Sequence, residues 1–172
     1  MRKALLLFLL SFTGVFGWTQ HLAKYSISNT GCSFYTFCDP GEFKFNPGED
    51  SSKLYTADCE NDGVLYGVIC IKFPSVVKDL DSAQYYEIAY LDYLKTFFKI
   101  QKSVGYGKGN HLHNNENTRG VTDYWQDGDN QNWKIKGWTD GNFIGILYVH
   151  SKAELNEIKV NVFLDSFRMP GM

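Results

Sequence analysis

The sequence predicts an α+β domain in which an antiparallel sheet carries packed helices in an α/β/α sandwich. Two observations support this prediction. Residues 132–139 and 143–150 carry strand signals on either side of the turn dipeptide Asp140-Gly141, which is typical of a β-hairpin. Residues 83–97 instead repeat apolar side chains at helical spacing. Several strands accompanied by a few helices favour a sheet that is covered by those helices.

Six segments carry strand signals: 33–37, 52–59, 64–73, 119–126, 132–139 and 143–150. If Asp140-Gly141 forms a two-residue turn, Trp138 lies opposite Phe143. One face of this hairpin is then predicted to belong to the core, and it carries Trp133, Ile135, Ile144, Ile146 and Tyr148. The other face is predicted to be mixed and partly exposed to water, and it carries Lys134, Lys136, Trp138, Phe143 and Leu147.

The first predicted helix begins at Asp81 or Ser82. Gln84 stands three residues after Asp81, which is the spacing of a capping box. The helix is expected to end near Lys99, before a glycine-rich stretch. Its predicted buried stripe consists of Ala83, Tyr86, Tyr90, Leu94 and Phe97.

The second predicted helix begins at Ser151, where Glu154 completes another capping box. Pro170 prevents this helix from continuing further. The apolar residues predicted to face the sheet are Leu155, Ile158, Val162 and Phe163.

The amino terminus has the pattern of a signal peptide. Arg2 and Lys3 precede a short apolar run, and small residues lead to a predicted cleavage after residue 17. The run is too short to span a bilayer, which needs about 20 residues. We therefore expect residues 1–17 to be removed and residues 18–172 to form one domain of a secreted or periplasmic protein, without stable membrane insertion.

The charge of the mature chain excludes some partners. Loss of Arg2 and Lys3 leaves 15 of the 17 basic residues against 19 acidic ones, so the net charge is mildly negative. Binding of nucleic acid requires a basic surface that displaces counterions, and such a surface is not expected here. Attraction to anionic membranes is disfavoured for the same reason.

Four cysteines in a chain destined for an oxidising compartment predict disulfides: Cys32, Cys38, Cys59 and Cys70. A hairpin turning on Asp62-Gly63 places Cys59 opposite Tyr66, so Cys59 and Cys70 lie roughly 13 Å apart. A disulfide needs Cα atoms within about 7 Å. The sequence therefore favours crossed pairing of Cys32 and Cys38 with Cys59 and Cys70, and it leaves open that one or both pairs are free thiols.

His111 and His113 form a candidate metal site. Two histidines two residues apart on a strand point to the same face, an arrangement that suits zinc or copper. Glu116 or His150 could supply a third ligand. The asparagines and glycines around the histidines equally favour a polar surface loop. No cofactor is predicted from any other motif.

Aromatic side chains form a second candidate site. Trp125, Trp138 and Phe143 fall outside the hairpin face assigned to the core, so they could line an exposed binding surface. Burial beneath a second layer, such as the C-terminal helix, is the alternative.

The order of strands, a long helix, further strands and a closing helix resembles the Mog1/PsbP-like fold, and especially its small uncharacterised secreted bacterial members. The resemblance covers roughly residues 31–169, and its specific parts are the hairpin YTAD…YGVICIKF from Tyr55 and the tail LNEIKVNVFLDSF. Neither part is catalytic. Because better-known members of this fold bind partner proteins, the resemblance implies a binding module and names no ligand.

The sequence therefore predicts an exported, non-enzymatic binding or accessory module for an unknown protein, glycan or small molecule. The alternative is a metal-assisted exported enzyme that uses the segment around His111 and His113. An exposed aromatic cleft without convergent titratable groups would favour the first hypothesis. A metal with an open coordination position would favour the second.

Overall fold

The computed structural model describes residues 21–172, and the predicted signal peptide lies outside this range. The described chain forms ten strands and two α-helices. The strands are β1 (Ala23–Ser26), β2 (Ser33–Thr36), β3 (Lys44–Pro47), β4 (Lys53–Asn61), β5 (Val64–Lys72), β6 (Ile100–Ser103), β7 (Gly107–Asn110), β8 (Arg119–Asp127), β9 (Asn132–Thr139) and β10 (Phe143–Ser151). The helices are α1 (Leu80–Phe97) and α2 (Glu157–Leu164). No helix within residues 21–172 is long and apolar enough to cross a lipid bilayer.

Eight of the described strands form one antiparallel sheet. Its order is β3-β4-β5-β10-β9-β8-β6, and β7 also pairs with β8. β1 and β2 form a separate antiparallel hairpin, which is joined to the carboxyl-terminal segment by backbone hydrogen bonds between Ser33 and Arg168. The predicted α+β architecture is confirmed, while four short strands, β1, β3, β6 and β7, were not predicted.

The two helices pack on opposite faces of the sheet. Leu91 and Leu94 of α1 pack with the β8–β10 residues of one face. Phe163 of α2 packs against the other face, together with the β1–β2 hairpin, whose Phe34 ring lies 6.3 Å from that of Phe163. The sheet is therefore the middle layer of an α/β/α sandwich.

The β9–β10 hairpin differs from its predicted register by two residues. Trp138 lies opposite Gly145, and not opposite Phe143. The turn is wider than two residues because the Asp140 carboxylate accepts hydrogen bonds from the backbone N–H groups of Asn142 and Phe143, both at 2.8 Å. A shift of two residues leaves every side chain on its predicted face, since side chains alternate with a period of two.

The hairpin face predicted to be partly wet is covered by α2. Its apolar residues are buried, and its two lysines reach the carboxylates on and after the helix. Lys134 donates to Glu157 at 2.7 Å and Lys136 to Asp165 at 2.5 Å. Long lysine stems can run along apolar surface in this way while their charged ends remain paired.

The helix starts differ from the predicted ones. Asp79 caps α1, and its side chain accepts from the backbone N–H groups of Asp81 and Ser82. Asn156 caps α2, whereas Ser151, the predicted cap, is the last residue of β10. The second prediction was wrong because the Ser151 hydroxyl donates to the carbonyl of Gly63 and accepts from the N–H of Ala153, which makes a turn.

One disulfide joins the end of the β1–β2 hairpin to the large sheet. Cys38 and Cys59 are bonded, with their Cα atoms 5.8 Å apart, and this bond belongs to the predicted crossed pairings. Cys59 lies opposite Tyr66 as predicted. Cys32 and Cys70 are free thiols buried in the core beneath α2, which is the alternative that the sequence left open. Hydrogen bonding between these two thiols, together with burial, raises the pKa of Cys70.

Candidate functional site

A groove runs beside α1 on one face of the sheet. The helix packs over β8 and β9, so the same face of β3, β4 and β5 has no helix above it. Two adjoining cavities of about 400 and 500 Å³ fill this space, and they share Asn46, Leu54, Tyr90 and Tyr93. We call these joined cavities the α1 groove.

Each side of the α1 groove has a distinct origin. The helix supplies a wall that consists of Tyr86, Ala89, Tyr90, Tyr93 and Phe97. The sheet supplies a floor that consists of Leu54, Thr56, Asp58, Ile69, Ile71, Ile144 and Tyr148. Alternation along the strands places these floor residues on a single face. The outer rim comes from β3 and from the turn before β4.

The wall is a row of partly exposed aromatic rings. Tyr93 is 57% exposed and Phe97 is 64% exposed, although both lie on a well-packed helix. The ring of Tyr93 lies 5.7 Å from that of Tyr90 and 6.2 Å from that of Phe97. Rings fixed in this way present large apolar surfaces at a small entropic cost, a composition that is enriched in binding sites.

The two ends of the α1 groove differ in polarity. One end lies among the apolar side chains of Ile71, Phe73 and Ile144, with Asp50 at its rim. The other end holds Asp58 and Tyr148. Both of these residues pair with Gly67 across β5, and the Tyr148 ring occupies the space that a Cβ on Gly67 would fill. Gly67 thereby allows the ring to lie flat across the sheet toward Asp58.

Tyr90 and Tyr148 stay protonated at neutral pH. Burial, together with its neighbour Tyr93, raises the pKa of Tyr90 to about 12. Burial and the nearby charge of Asp58 also raise the pKa of Tyr148. These side chains therefore offer neutral aromatic faces and hydroxyl groups, and the carboxylate of Asp58 is the negative charge at this end of the groove.

A third cavity continues the same face of the sheet. It has a volume of about 360 Å³, and Glu60, Leu65 and His150 contribute to its lining. Glu60 follows Asp58 by two residues on β4, so the two carboxylates point to the same face. His150 stacks on Trp133 at 4.0 Å and its Nδ1 contacts Gln131 Oε1 at 2.8 Å. Burial lowers the pKa of His150 despite the acidic residues around it.

Glu87 lies on the side of α1 that faces the sheet. The residue is fully buried, and neither carboxylate oxygen has a hydrogen-bond partner among the described residues. Gly137 of β9 makes room for it, since a Cβ there would collide with the carboxylate. Desolvation raises the pKa of Glu87 well above its ordinary value, which keeps this side chain neutral over a wide range of pH.

Trp125, Trp138 and Phe143 do not form an exposed surface; they are covered, as the alternative interpretation expected. These side chains are only 3%, 5% and 6% exposed. Trp125 packs in the core beneath α1, where its indole N–H donates to the Asp123 carboxylate at 2.6 Å. Trp138 and Phe143 pack on the opposite face, beneath α2. The second layer of helix therefore covers the residues that the hairpin pattern left outside the core.

His111 and His113 lie in a polar turn, as the loop interpretation of this segment expected, and not on the strand that a shared metal site required. Residues Leu112–Asn114 form a turn of 3-10 helix, and His113 has a positive φ of 49°. His111 Nδ1 contacts the carbonyl of Thr118 at 2.7 Å, while His113 Nε2 contacts the carbonyl of Phe167 and the Arg168 guanidinium. The same-face argument for a shared metal therefore fails. Within residues 21–172, no three potential ligands cluster closely enough to hold a metal ion.

Sequence reasoning missed the α1 groove because it assigned Tyr86 and Phe97 to the buried stripe of the helix together with Ala83 and Leu94. The residues of α1 that are buried against the sheet are Ala83, Glu87, Leu91 and Leu94. Tyr86 and Phe97, which were predicted to be buried, are 50% and 64% exposed. The available signal was the excess of aromatic residues, which leaves α1 with a second apolar side that the core does not need.

The sequence matches no protein-family model and no curated protein.

Proposed function

We propose that this chain is an exported binding or accessory module that holds its ligand in the α1 groove. The observation that carries the proposal is an open groove walled by partly exposed aromatic residues on a rigid helix. Pockets for small ligands have volumes of about 300–1,000 Å³ and combine an apolar lining with a few polar groups. The α1 groove has both properties.

Export is part of the same proposal. The pattern of the first residues favours a signal peptide, and the Cys38–Cys59 disulfide is of the kind that persists in oxidising compartments. A secreted or periplasmic location is therefore proposed. The layout of a sheet between helices also agrees with the resemblance to Mog1/PsbP-like proteins, whose better-known members act by binding.

Binding is favoured over metal-assisted catalysis by the surroundings of the histidines. His111 and His113 lie in a turn, and not on the strand that would have brought both rings to one face. The α1 groove instead presents neutral tyrosines and apolar floor residues, which suit recognition of an apolar or aromatic ligand body.

Fluorescence of a neutral apolar probe, N-phenyl-1-naphthylamine, tests this proposal. Ala89 lies in the wall of the groove and is exposed, so Ala89→Trp fills the space without disturbing the core. Thr96→Trp adds the same side chain at an exposed position of α1 that does not line the groove. We expect Ala89→Trp to weaken probe binding at least about tenfold and Thr96→Trp to change it less than about twofold.

Thermal melting of both variants serves as the control for folding. Equal melting temperatures with selective loss of binding in Ala89→Trp support the proposal. Equal binding by both variants, or no binding by the unmodified protein, contradicts it.

A further inference from the structure

We infer that the α1 groove selects an amphipathic organic cation, whose apolar body lies along the aromatic wall and whose charged end faces Asp58. This inference rests on the proposed function, and it names the chemical class of the ligand. It depends on the change in polarity along the groove and on the charges at its polar end.

The apolar end of the groove sets the nature of the ligand body. Ile71 and Ile144 form the floor there, and Tyr86 contributes the wall opposite them. The ring of Tyr86 is held by Phe73, with ring centroids 6.1 Å apart. A hydrocarbon chain placed between this wall and floor is stabilised because each of its CH₂ groups is removed from water.

The polar end sets the sign of the charge. Asp58 and Glu60 point to the same face of β4 and are two residues apart, which separates them by roughly 7 Å. Among the described residues, neither carboxylate forms an ion pair. Lys44 is the cation that lines this part of the groove, and it lies opposite Thr56 on the neighbouring strand. Asp58 lines this part of the groove with Lys44, and Glu60, in the lining of the third cavity, adds a second negative charge beside it.

The aromatic residues around Asp58 add to the same preference. Tyr90 and Tyr148 line the cavity beside this carboxylate. Because their raised pKa values keep them neutral, their ring faces retain the negative quadrupole that attracts an organic cation. Attraction of this kind is strongest for alkylammonium groups, which lose little hydration on binding.

The length of the groove agrees with a chain of moderate size. Ile71 marks the apolar end and Gly67, which lies opposite Asp58, marks the polar end. The two residues are four positions apart along β5, a distance of roughly 13 Å. An extended decyl chain bearing a trimethylammonium head spans a similar distance, so that both ends of the ligand meet surfaces of matching polarity.

Calorimetric titration with three decyl compounds tests the inference. Decyltrimethylammonium is the cation, decyl glucoside is the neutral analogue and decyl sulfate is the anion, each used below its micelle concentration. We expect the cation to bind at least about tenfold more tightly than the neutral compound, and the anion to bind most weakly. Asp58→Asn is expected to remove most of the preference for the cation while leaving affinity for decyl glucoside within about twofold.

Glu42→Gln is the matched control, because it removes one exposed carboxylate that does not line the groove. It should leave the affinity for the cation unchanged. An equal loss of cation binding in Glu42→Gln and Asp58→Asn would show that overall charge, and not the groove, causes the preference, and this would overturn the inference.

The remaining outcomes separate the inference from the function beneath it. If decyl glucoside binds as tightly as the cation and Ala89→Trp abolishes both, the inference is overturned and the binding module stands. If none of the three compounds binds but N-phenyl-1-naphthylamine does, the inference is overturned and the binding module stands; if that probe does not bind either, both are overturned.

Discussion

The buried Glu87 predicts an unusual dependence of stability on pH. Its carboxyl group is protonated in the folded protein because desolvation raises its pKa well above 4.5, whereas in the unfolded chain it ionises near that value. The folded state therefore binds one proton more than the unfolded state between these two pKa values. The contribution of this group is greatest below pH 4.5 and is lost as the pH rises toward the pKa in the folded state.

The magnitude follows from linkage of one proton. The free energy of unfolding falls by up to about 1.4 kcal/mol for each pH unit in this window. Glu87→Gln replaces the carboxyl group by a neutral group of similar size and removes the loss. We therefore expect Glu87→Gln to gain stability over the unmodified protein as the pH rises above 4.5 toward the pKa of Glu87 in the folded state.

Urea unfolding at several pH values measures this difference. Glu42→Gln serves as the control, since Glu42 is exposed and its substitution should give a difference that does not change with pH. A pH-independent difference for Glu87→Gln as well would refute the reasoning, because it would mean that Glu87 has the same pKa in both states.

Three further predictions concern stability. The Cys38–Cys59 disulfide closes a loop of 21 residues. Changing both cysteines to serine should therefore lower the free energy of unfolding by about 3 kcal/mol in urea titrations. Burial alone would raise the pKa of Asp123, but hydrogen bonds from Trp125 and Lys95 outweigh burial and lower it. Asp123→Asn should therefore cost about 1–3 kcal/mol near neutral pH, and the cost should shrink as acid protonates Asp123 in the unmodified protein; a cost that stays constant on acidification would contradict this. Gly137→Ala should cost about 1–3 kcal/mol in thermal or urea unfolding, and much less in a Glu87→Ala background, because the new methyl group collides with the Glu87 carboxylate.

The strand register of a hairpin can be predicted from the sequence where the residues of the turn alone determine it. Asp62-Gly63 gives the β4–β5 register in which Cys59 lies opposite Tyr66, and this prediction is confirmed. The register predicted for β9–β10 from Asp140-Gly141 was wrong by two residues, because Asp140 accepts hydrogen bonds that widen the turn. The faces were nevertheless preserved, since an even shift does not exchange them.

Burial of the second sheet face was not predictable from the hairpin alone. Lys134 and Lys136 made that face look wet, but they pair with carboxylates contributed by a segment more than twenty residues away. A lysine pattern in one strand contains no information about the helix that later covers it. The burial of Trp138 follows from that long-range packing.

The candidate site escaped prediction for a related reason. Helical periodicity correctly located α1, but the helix has two apolar sides, and periodicity does not say which of them faces the sheet. The side with the larger residues, which includes Tyr86 and Phe97, lies at the groove, while the buried side includes Glu87. A charged residue on the buried side is contrary to the usual pattern, so the tyrosine side was preferred.

The central claim is that a ligand lies in the α1 groove, and chemical-shift mapping tests it most directly. Amide resonances of the isotopically labelled protein would be recorded while decyltrimethylammonium is added. The account predicts saturable changes at groove residues of β4, β5 and α1, such as Leu54, Ile69 and Tyr93, with little change at Phe163 of α2 on the opposite face. Changes centred on the α2 face, or no saturable change at any residue, would contradict it.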